Sequence, residues 1–322
     1  MDENQIITDN QNKINNFKKY EEAERSAIIK NKTEINQLVD CVNTVLADND
    51  ILERINSNQI RFEPNAVGNL YCGKGNKKLT EIFFDHVFPK ANQECFAHFT
   101  SIQNAKSIVG SKSFWVSNLN KNAEAEYKAF YEDHGLLGFR EKREFLGFET
   151  GYEENRKTIF SLSFTSENNN SEAMWESFGK GYRGVKLYFK VESNTDYFRK
   201  IRYSANGEKI KLLADLTEGI WKEFETTFRL YKISKVGAYY IPGLVNFEDE
   251  YRFIYDCIND IDKFKLKKQE AGKCYAIVPF ENSIIRFQLL KIEKGVYCDQ
   301  NEFEKLKEIV KRQYSYDIEF VE

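Results

Sequence analysis

The stretch Phe247-Glu248-Asp249-Glu250-Tyr251-Arg252-Phe253-Ile254-Tyr255 puts two glutamates, two residues apart, at the mouth of an aromatic and β-branched run. Read as a strand, its side chains alternate, so Glu248 and Glu250 share one face while Asp249 and Tyr251 take the other. Two carboxylates on one face at a strand end permit a division of labour, in which one holds a sugar hydroxyl and the other orients a nucleophile. The same pattern suits a solvated strand edge, where charge deters pairing with another sheet. Only other segments of the chain can separate the two readings.

Outward from this run the texture is of short apolar segments between polar loops. Strands are expected near 96–99, 114–117, 159–164, 184–191, 237–241, 252–257, 274–279 and 284–292. Helices are expected at 102–109, 123–131, 172–178, 212–231 and 302–312, the last with Phe303, Leu306, Ile309 and Val310 on one face and a cap at 299–301. Near the N-terminus, Ile35, Leu38, Val39, Val42, Val45 and Leu46 fall on one helical face until Asp48-Asn49-Asp50 breaks it. Residues 1–20 are polar and expected to fray, and another helix is expected at 79–86. The division expected is a helical arm over 1–90 and a main domain over 91–322, of α+β class. The arm's stripe is expected to pack on the main domain; pairing with a second copy or a partner protein is the alternative.

Composition excludes several classes. The 322 residues, 41% hydrophobic and 15% aromatic, are ample for a buried core, and disorder is not the default. A net charge of −3 leaves no chain-wide basic field of the kind a duplex-binding protein carries, though a local groove stays open. The Lys263, Lys265, Lys267, Lys268 and Lys273 stretch reads as a basic loop, either solvated or touching nucleic acid. Six scattered cysteines without a Cys-x-x-Cys pair, and three histidines, supply no zinc-ligand spacing. The polar N-terminus and the lack of a long apolar run point to a reduced, cytoplasmic protein away from membranes.

Three further segments carry polar groups where chemistry would need them. Ala97-His98-Phe99-Thr100-Ser101 is a strand running into a helix, with a histidine beside hydroxyls; such a histidine either contacts a ligand or simply packs. Phe114-Trp115-Val116-Ser117-Asn118 is a strand and its turn. In Ile159–Ser166, the hydroxyls of Ser161, Ser163 and Thr165 share one strand face where apolar residues would be usual. It is followed by Met174-Trp175 and by Gly179-Lys180-Gly181-Tyr182-Arg183-Gly184-Val185, a glycine turn feeding the next strand rather than a phosphate loop.

In this order, over residues 95–313, these blocks resemble a bacterial domain-of-unknown-function family placed in the ADP-ribosyltransferase-like superfamily. The most specific parts are the Met174-Trp175 to Arg183-Gly184-Val185 block and Glu248-Asp249-Glu250-Tyr251-Arg252. One departure is Asn120-Lys121-Asn122-Ala123-Glu124, where the family carries Asn-Asp before a glutamate. The resemblance implies a split, twisted β-sandwich with flanking helices and a cleft for NAD as substrate. It implies Glu250 as the catalytic carboxylate, holding the ribose as the nicotinamide bond breaks and positive charge develops, with Glu248 serving the acceptor. His98 and Thr100 would position the dinucleotide, Trp115 or Tyr182 would stack on a ring, and Ser117, Ser161 and Ser163 would line the cleft. The implied activity is ADP-ribosyl transfer to nucleic acid or protein by a toxin or defence effector. NAD hydrolysis and a nucleotide- or partner-binding module without chemistry are the alternatives.

Overall fold

The computed structural model describes residues 32–63, 66–68, 78–91, 94–119, 129–134, 157–193, 197–204, 208–243, 246–257, 264–268 and 274–322. From the N-terminal side, α1 (Lys32–Asp48) precedes β1 (Arg61–Glu63), β2 (Ala66–Gly68) and α2 (Lys78–Val87). Then come β3 (Cys95–Thr100), α3 (Ile102–Ser111) and β4 (Ser113–Ser117). Strand β5 (Ile159–Ser166), α4 (Glu172–Ser177), β6 (Val185–Ser193), β7 (Phe198–Lys200) and β8 (Arg202–Ser204) follow. Next are α5 (Lys211–Phe224), β9 (Thr227–Arg229), α6 (Ile233–Ala238), β10 (Tyr240–Pro242) and a 3-10 turn at Asn246–Glu248. The last are β11 (Glu250–Asp256), β12 (Lys265–Lys268), β13 (Cys274–Pro279), β14 (Ile285–Lys294), α7 (Gln300–Gln313) and β15 (Glu319–Val321). The class is α+β.

Two compact units divide the chain: Met1–Val87 with Tyr131–Glu154 and Gly207–Val236, and Phe88–Phe130 with Asn155–Asn206 and Gly237–Glu322. The N-terminal helix is therefore part of a unit completed by two later segments. In it α1 packs on α5, burying Leu38, Val42 and Leu46. A Cβ on Gly219 would stand only 3.3 Å from Val45, so a small residue lets the helices close. At the Asp48-Asn49-Asp50 break, Asp50 is left-handed (φ 60°) and the Asn49 amide donates to Asp215 at 2.8 Å, tying the end of α1 to α5.

The second unit holds a seven-stranded sheet in the order β15-β14-β6-β3-β5-β11-β7, antiparallel except for β14 with β15. A three-stranded sheet, β12-β13-β4, faces it. Phe96, Phe164, Leu187, Phe189, Tyr251, Phe253, Phe287 and Leu289 from the large sheet meet Phe114, Val116, Ala276 and Val278 from the small one in one core. α3 and α7 close its side through Ala105, Val109, Phe303, Leu306 and Val310. Both helices are capped as their sequences demand: Ser101 accepts from the Asn104 amide, and Asp299 from that of Glu302.

Several expected elements change. The helix expected at 212–231 ends at Phe224; Glu225 turns left-handed (φ 49°) and its amide returns to Trp221 O at 2.9 Å, after which Thr227–Arg229 is a strand. β-branched and aromatic residues beyond Glu225 favour that switch. The strand expected at 237–241 begins only at Tyr240, because α6 occupies Ile233–Ala238. The basic loop is in part strand β12, paired to β13; three lysines within the four residues 265–268 hid the alternation of an edge strand. The helix expected at 123–131 lies mostly outside the described residues, as do residues 1–20.

Candidate functional site

Strand register sorts the expected site residues by face. Glu250, Arg252 and Ile254 stand opposite Thr165, Ser163 and Ser161, so all six share one side of the large sheet. Ala97 opposite Thr165, and Phe99 opposite Lys186, place those residues on the same, outer side. His98 and Thr100 take the other parity of β3 and point to the inner, core side. The arrangement thus gathers Glu250, Ser161 and Ser163 and leaves His98 and Thr100 across the sheet from them.

The sheet opens on the outer side. β3 and β5 pair only at Phe96↔Ser166 and Ala97↔Thr165, although β3 stays with β6 through Thr100. Beyond Ala97 the strands part, and the His98 ring spans the gap: its Nδ1 donates to Ser163 O at 2.9 Å, which fixes the tautomer. The ring packs against Phe114 and Phe164, both at 5.6 Å between centroids. Burial lowers its pKa below 6.5, and the bond to Ser163 O opposes that shift. A neutral ring at a strand gap is a strut. One consequence of the gap is that Ser163, in the middle of a seven-stranded sheet, is exposed, with Ser161 half-buried beside it.

At the end of β11, Glu250 and Arg252 form a buried bidentate pair, Nε–Oε1 at 2.7 Å and Nη2–Oε2 at 3.1 Å, the two residues 4% and 8% exposed. Arg252 also donates to Ala238 O at 2.9 Å. The Glu250 amide donates to the Tyr203 hydroxyl at 3.0 Å. Burial raises the Tyr203 pKa; its bond from Glu250 lowers it, and the Glu250 and Glu248 carboxylates raise it again. Tyr203 is thus a neutral hydroxyl beside both acids. Nothing in Arg202-Tyr203-Ser204 marked it in the sequence, because its position follows from β7 pairing with β11 just before it and from the Ile201 amide donating to Glu250 O at 3.0 Å.

Glu248 is not on the strand. It lies in the 3-10 turn, and Asp249 beyond it is left-handed (φ 41°), so the expected strand-face pairing of Glu248 with Glu250 is replaced by a turn beside a strand. Asp249 faces Lys200 at 2.6 Å. The turn is pinned by Thr165, whose hydroxyl donates to Glu248 O at 2.5 Å, and by Asn169, whose amide reaches Phe247 O and Thr165 Oγ1, both at 2.8 Å. The hydroxyl row of β5 is therefore shared: Thr165 anchors the turn, and Ser163 and Ser161 remain at the surface.

Tyr182 stands on the outer side too. Its ring stacks on Trp175 (5.5 Å, 10°), which meets Phe99 edge-on at 4.9 Å. Backbone crowding fixes it: a Cβ on Gly184 would approach Thr100 O to 2.2 Å, and the Tyr297 amide donates to Tyr182 O at 3.0 Å. Lys186 emerges on this side and donates to Glu167 O at 2.8 Å and Asn169 O at 3.0 Å; burial lowers its pKa to about 8. On the small sheet, Trp115 is 44% exposed and Ser117 half-buried. The bridge Asn118↔Phe160 sets β4 alongside the start of β5, which turns Ser117 and Ser161 to the same outward side.

Among the described residues, no group of three or more His, Cys, Asp or Glu is gathered where it would hold a metal, and no helix is long and apolar enough to cross a membrane. In the first unit a separate cavity of about 280 Å³ is lined by His134, Lys209, Thr217, Glu218 and Trp221 among others. Compared with family models, with curated proteins and with solved structures, the chain matches none.

Proposed function

We propose that the second unit is an NAD-dependent ADP-ribosyltransferase whose reaction centre lies on the outer side of the large sheet, at the ends of β5 and β11. The observation that carries this reading is the exposed Ser163 in a sheet gap, directly opposite the Arg252–Glu250 pair. Arg252 orients the Glu250 carboxylate, and each carboxylate oxygen retains a second lone pair for a ribose hydroxyl. As the nicotinamide–ribose bond breaks, that fixed negative charge opposes the positive charge developing on the sugar. Ser163 and Ser161 donate to NAD, Tyr182 offers a ring face, and Glu248 receives the acceptor's proton. The sheets meeting at the β4–β5 bridge are in keeping with a split β-sandwich.

A second reading has one observation in its favour: both Glu250 oxygens already accept from Arg252, as in a strut, so the unit binds without chemistry. The deciding experiment incubates full-length protein with nicotinamide-labelled and adenine-labelled NAD, alone and with protein, DNA and RNA pools. Nicotinamide release with transfer of label is expected. Glu250→Gln, which keeps one acceptor for Arg252, should lower release about a hundredfold. Ser163→Ala should weaken NAD use roughly threefold to tenfold without altering thermal stability. Label released into water only would assign hydrolysis. No release by folded protein in any pool would leave the binding reading.

A further inference from the structure

We infer that the outer face of the three-stranded sheet β12-β13-β4 is a stacking platform for single-stranded nucleic acid. Register sets two rows across it, Ser117–Tyr275–Lys267 and Trp115–Ile277–Lys265, while Val116, Ala276 and Val278 face the core. The side turned to solvent thus carries two aromatic rings flanked by two exposed lysines. Trp115 and Tyr275 lie diagonally, 6.1 Å apart, and Lys267 Nζ sits 4.4 Å from the indole centroid. The described residues of the three strands, Ser113–Ser117, Lys265–Lys268 and Cys274–Pro279, include no carboxylate.

Edge lysines alone would guard a sheet edge, and β12 is an edge strand. A guarded edge has no use for an exposed tryptophan on the neighbouring rows. Flat rings offer the π-faces on which unpaired bases stack whatever their identity, and lysines at strand spacing meet the phosphates between them. The cation over Trp115 holds the indole in place and swings to a phosphate when a base takes its position. A duplex keeps its bases stacked internally, so a flat aromatic face reads single strands; the chain's net charge of −3 likewise offers no broad duplex footprint. The inference stands without any catalytic role for Glu250.

The test is fluorescence anisotropy of full-length protein with labelled oligothymidylate and oligouridylate of roughly 12 nucleotides, and with a duplex of the same length. Single strands should bind at low salt and the duplex at least tenfold more weakly. Trp115→Ala should weaken single-strand binding about tenfold, with Trp115→Tyr recovering most of it, since the ring is exposed and its loss opens no cavity. Lys265→Gln/Lys267→Gln, two surface changes, should flatten the log–log salt dependence by about 0.7 per lysine. Three results would overturn the proposal: no single-strand binding, affinity unchanged in folded Trp115→Ala, or equal binding of duplex and single strand. The last two would assign the lysines a charge effect alone.

Discussion

The two faces of the large sheet obey different rules although the same strands build both. On the inner face, Phe96, Phe164, Leu187, Phe189, Phe253 and Phe287 alternate with outward residues at the period of two that strands impose. On the outer face the same alternation puts Ser161, Ser163, Thr165, Glu250 and Arg252 side by side, so a buried ion pair and a hydroxyl row stand beside the buried Ala97 and Ile254. The inner face is held by area and shape. The outer one adds a buried ion pair and side-chain hydrogen bonds to its apolar contacts. A substitution should therefore damage fold stability on one face and chemistry on the other, and each prediction below tests where that boundary runs.

The largest expected effect is on the inner face. Phe114 is 1% exposed and packs against Phe189, Phe280 and Phe287 at 5.3, 5.3 and 5.1 Å, joining the small sheet to the large one. Phe114→Ala should cost close to 5 kcal/mol, the upper end of buried Phe truncations, because rings from both sheets cannot all relax into the space. Denaturant unfolding measures it. A loss below about 1 kcal/mol would mean the interior collapses freely and is not jointly packed.

Next comes the outer pair. Glu250→Ala strands a buried guanidinium, and the expected cost is about 3 kcal/mol, at the lower end for broken buried pairs because Arg252 keeps its bond to Ala238 O. Glu250→Ala/Arg252→Met removes both charges and should recover most of that stability while leaving NAD turnover absent. Thermal unfolding of the single and double variants, beside nicotinamide release, separates the two. If the double variant regains activity with stability, Glu250 is a strut and the outer face holds no reaction centre.

How much of this was legible in the chain depends on whether a feature is local. The helix stripe of α1, the caps at Ser101 and Asp299, the hydroxyl row of β5 and the aromatic run of β11 are all written in short windows, and the α+β class follows from them. The face on which His98 lies is not. It depends on the strand opposite being in one register and not the next, which is a long-range pairing that no window contains. Glu248 was misplaced for a smaller reason: a single left-handed residue, Asp249, ends the strand before it. Tyr203 was missed because long-range pairing of β7 with β11, continued by the Ile201 amide donating to Glu250 O, brings it to Glu250. The strand β12 was obscured by lysines that serve an edge.

The smallest effect tests the residue that sequence and structure place differently. Burial holds the His98 pKa below 6.5, so in the folded state the ring stays neutral while in the unfolded chain it takes a proton as pH falls past 6.5. Proton uptake by the unfolded state alone favours unfolding, so the stability that the neutral ring contributes is present above pH 6.5. It is lost progressively as pH falls toward the lower folded-state value. His98→Gln keeps a donor for Ser163 O but does not titrate there. Stability measured by urea unfolding at several pH values from 8 to 5 should fall more steeply for the native protein than for the variant, by less than one proton's worth of slope, which is about 1.4 kcal/mol per pH unit. If the protein binds NAD as proposed, the variant should match its affinity near pH 8, because the native His98 ring faces Phe114 and Phe164 and not the outer side. Parallel pH curves would show that the ring is not the titrating group. A loss of NAD affinity in a variant of unchanged stability would return His98 to the site and place the ligand through the gap between β3 and β5, not on the outer face alone.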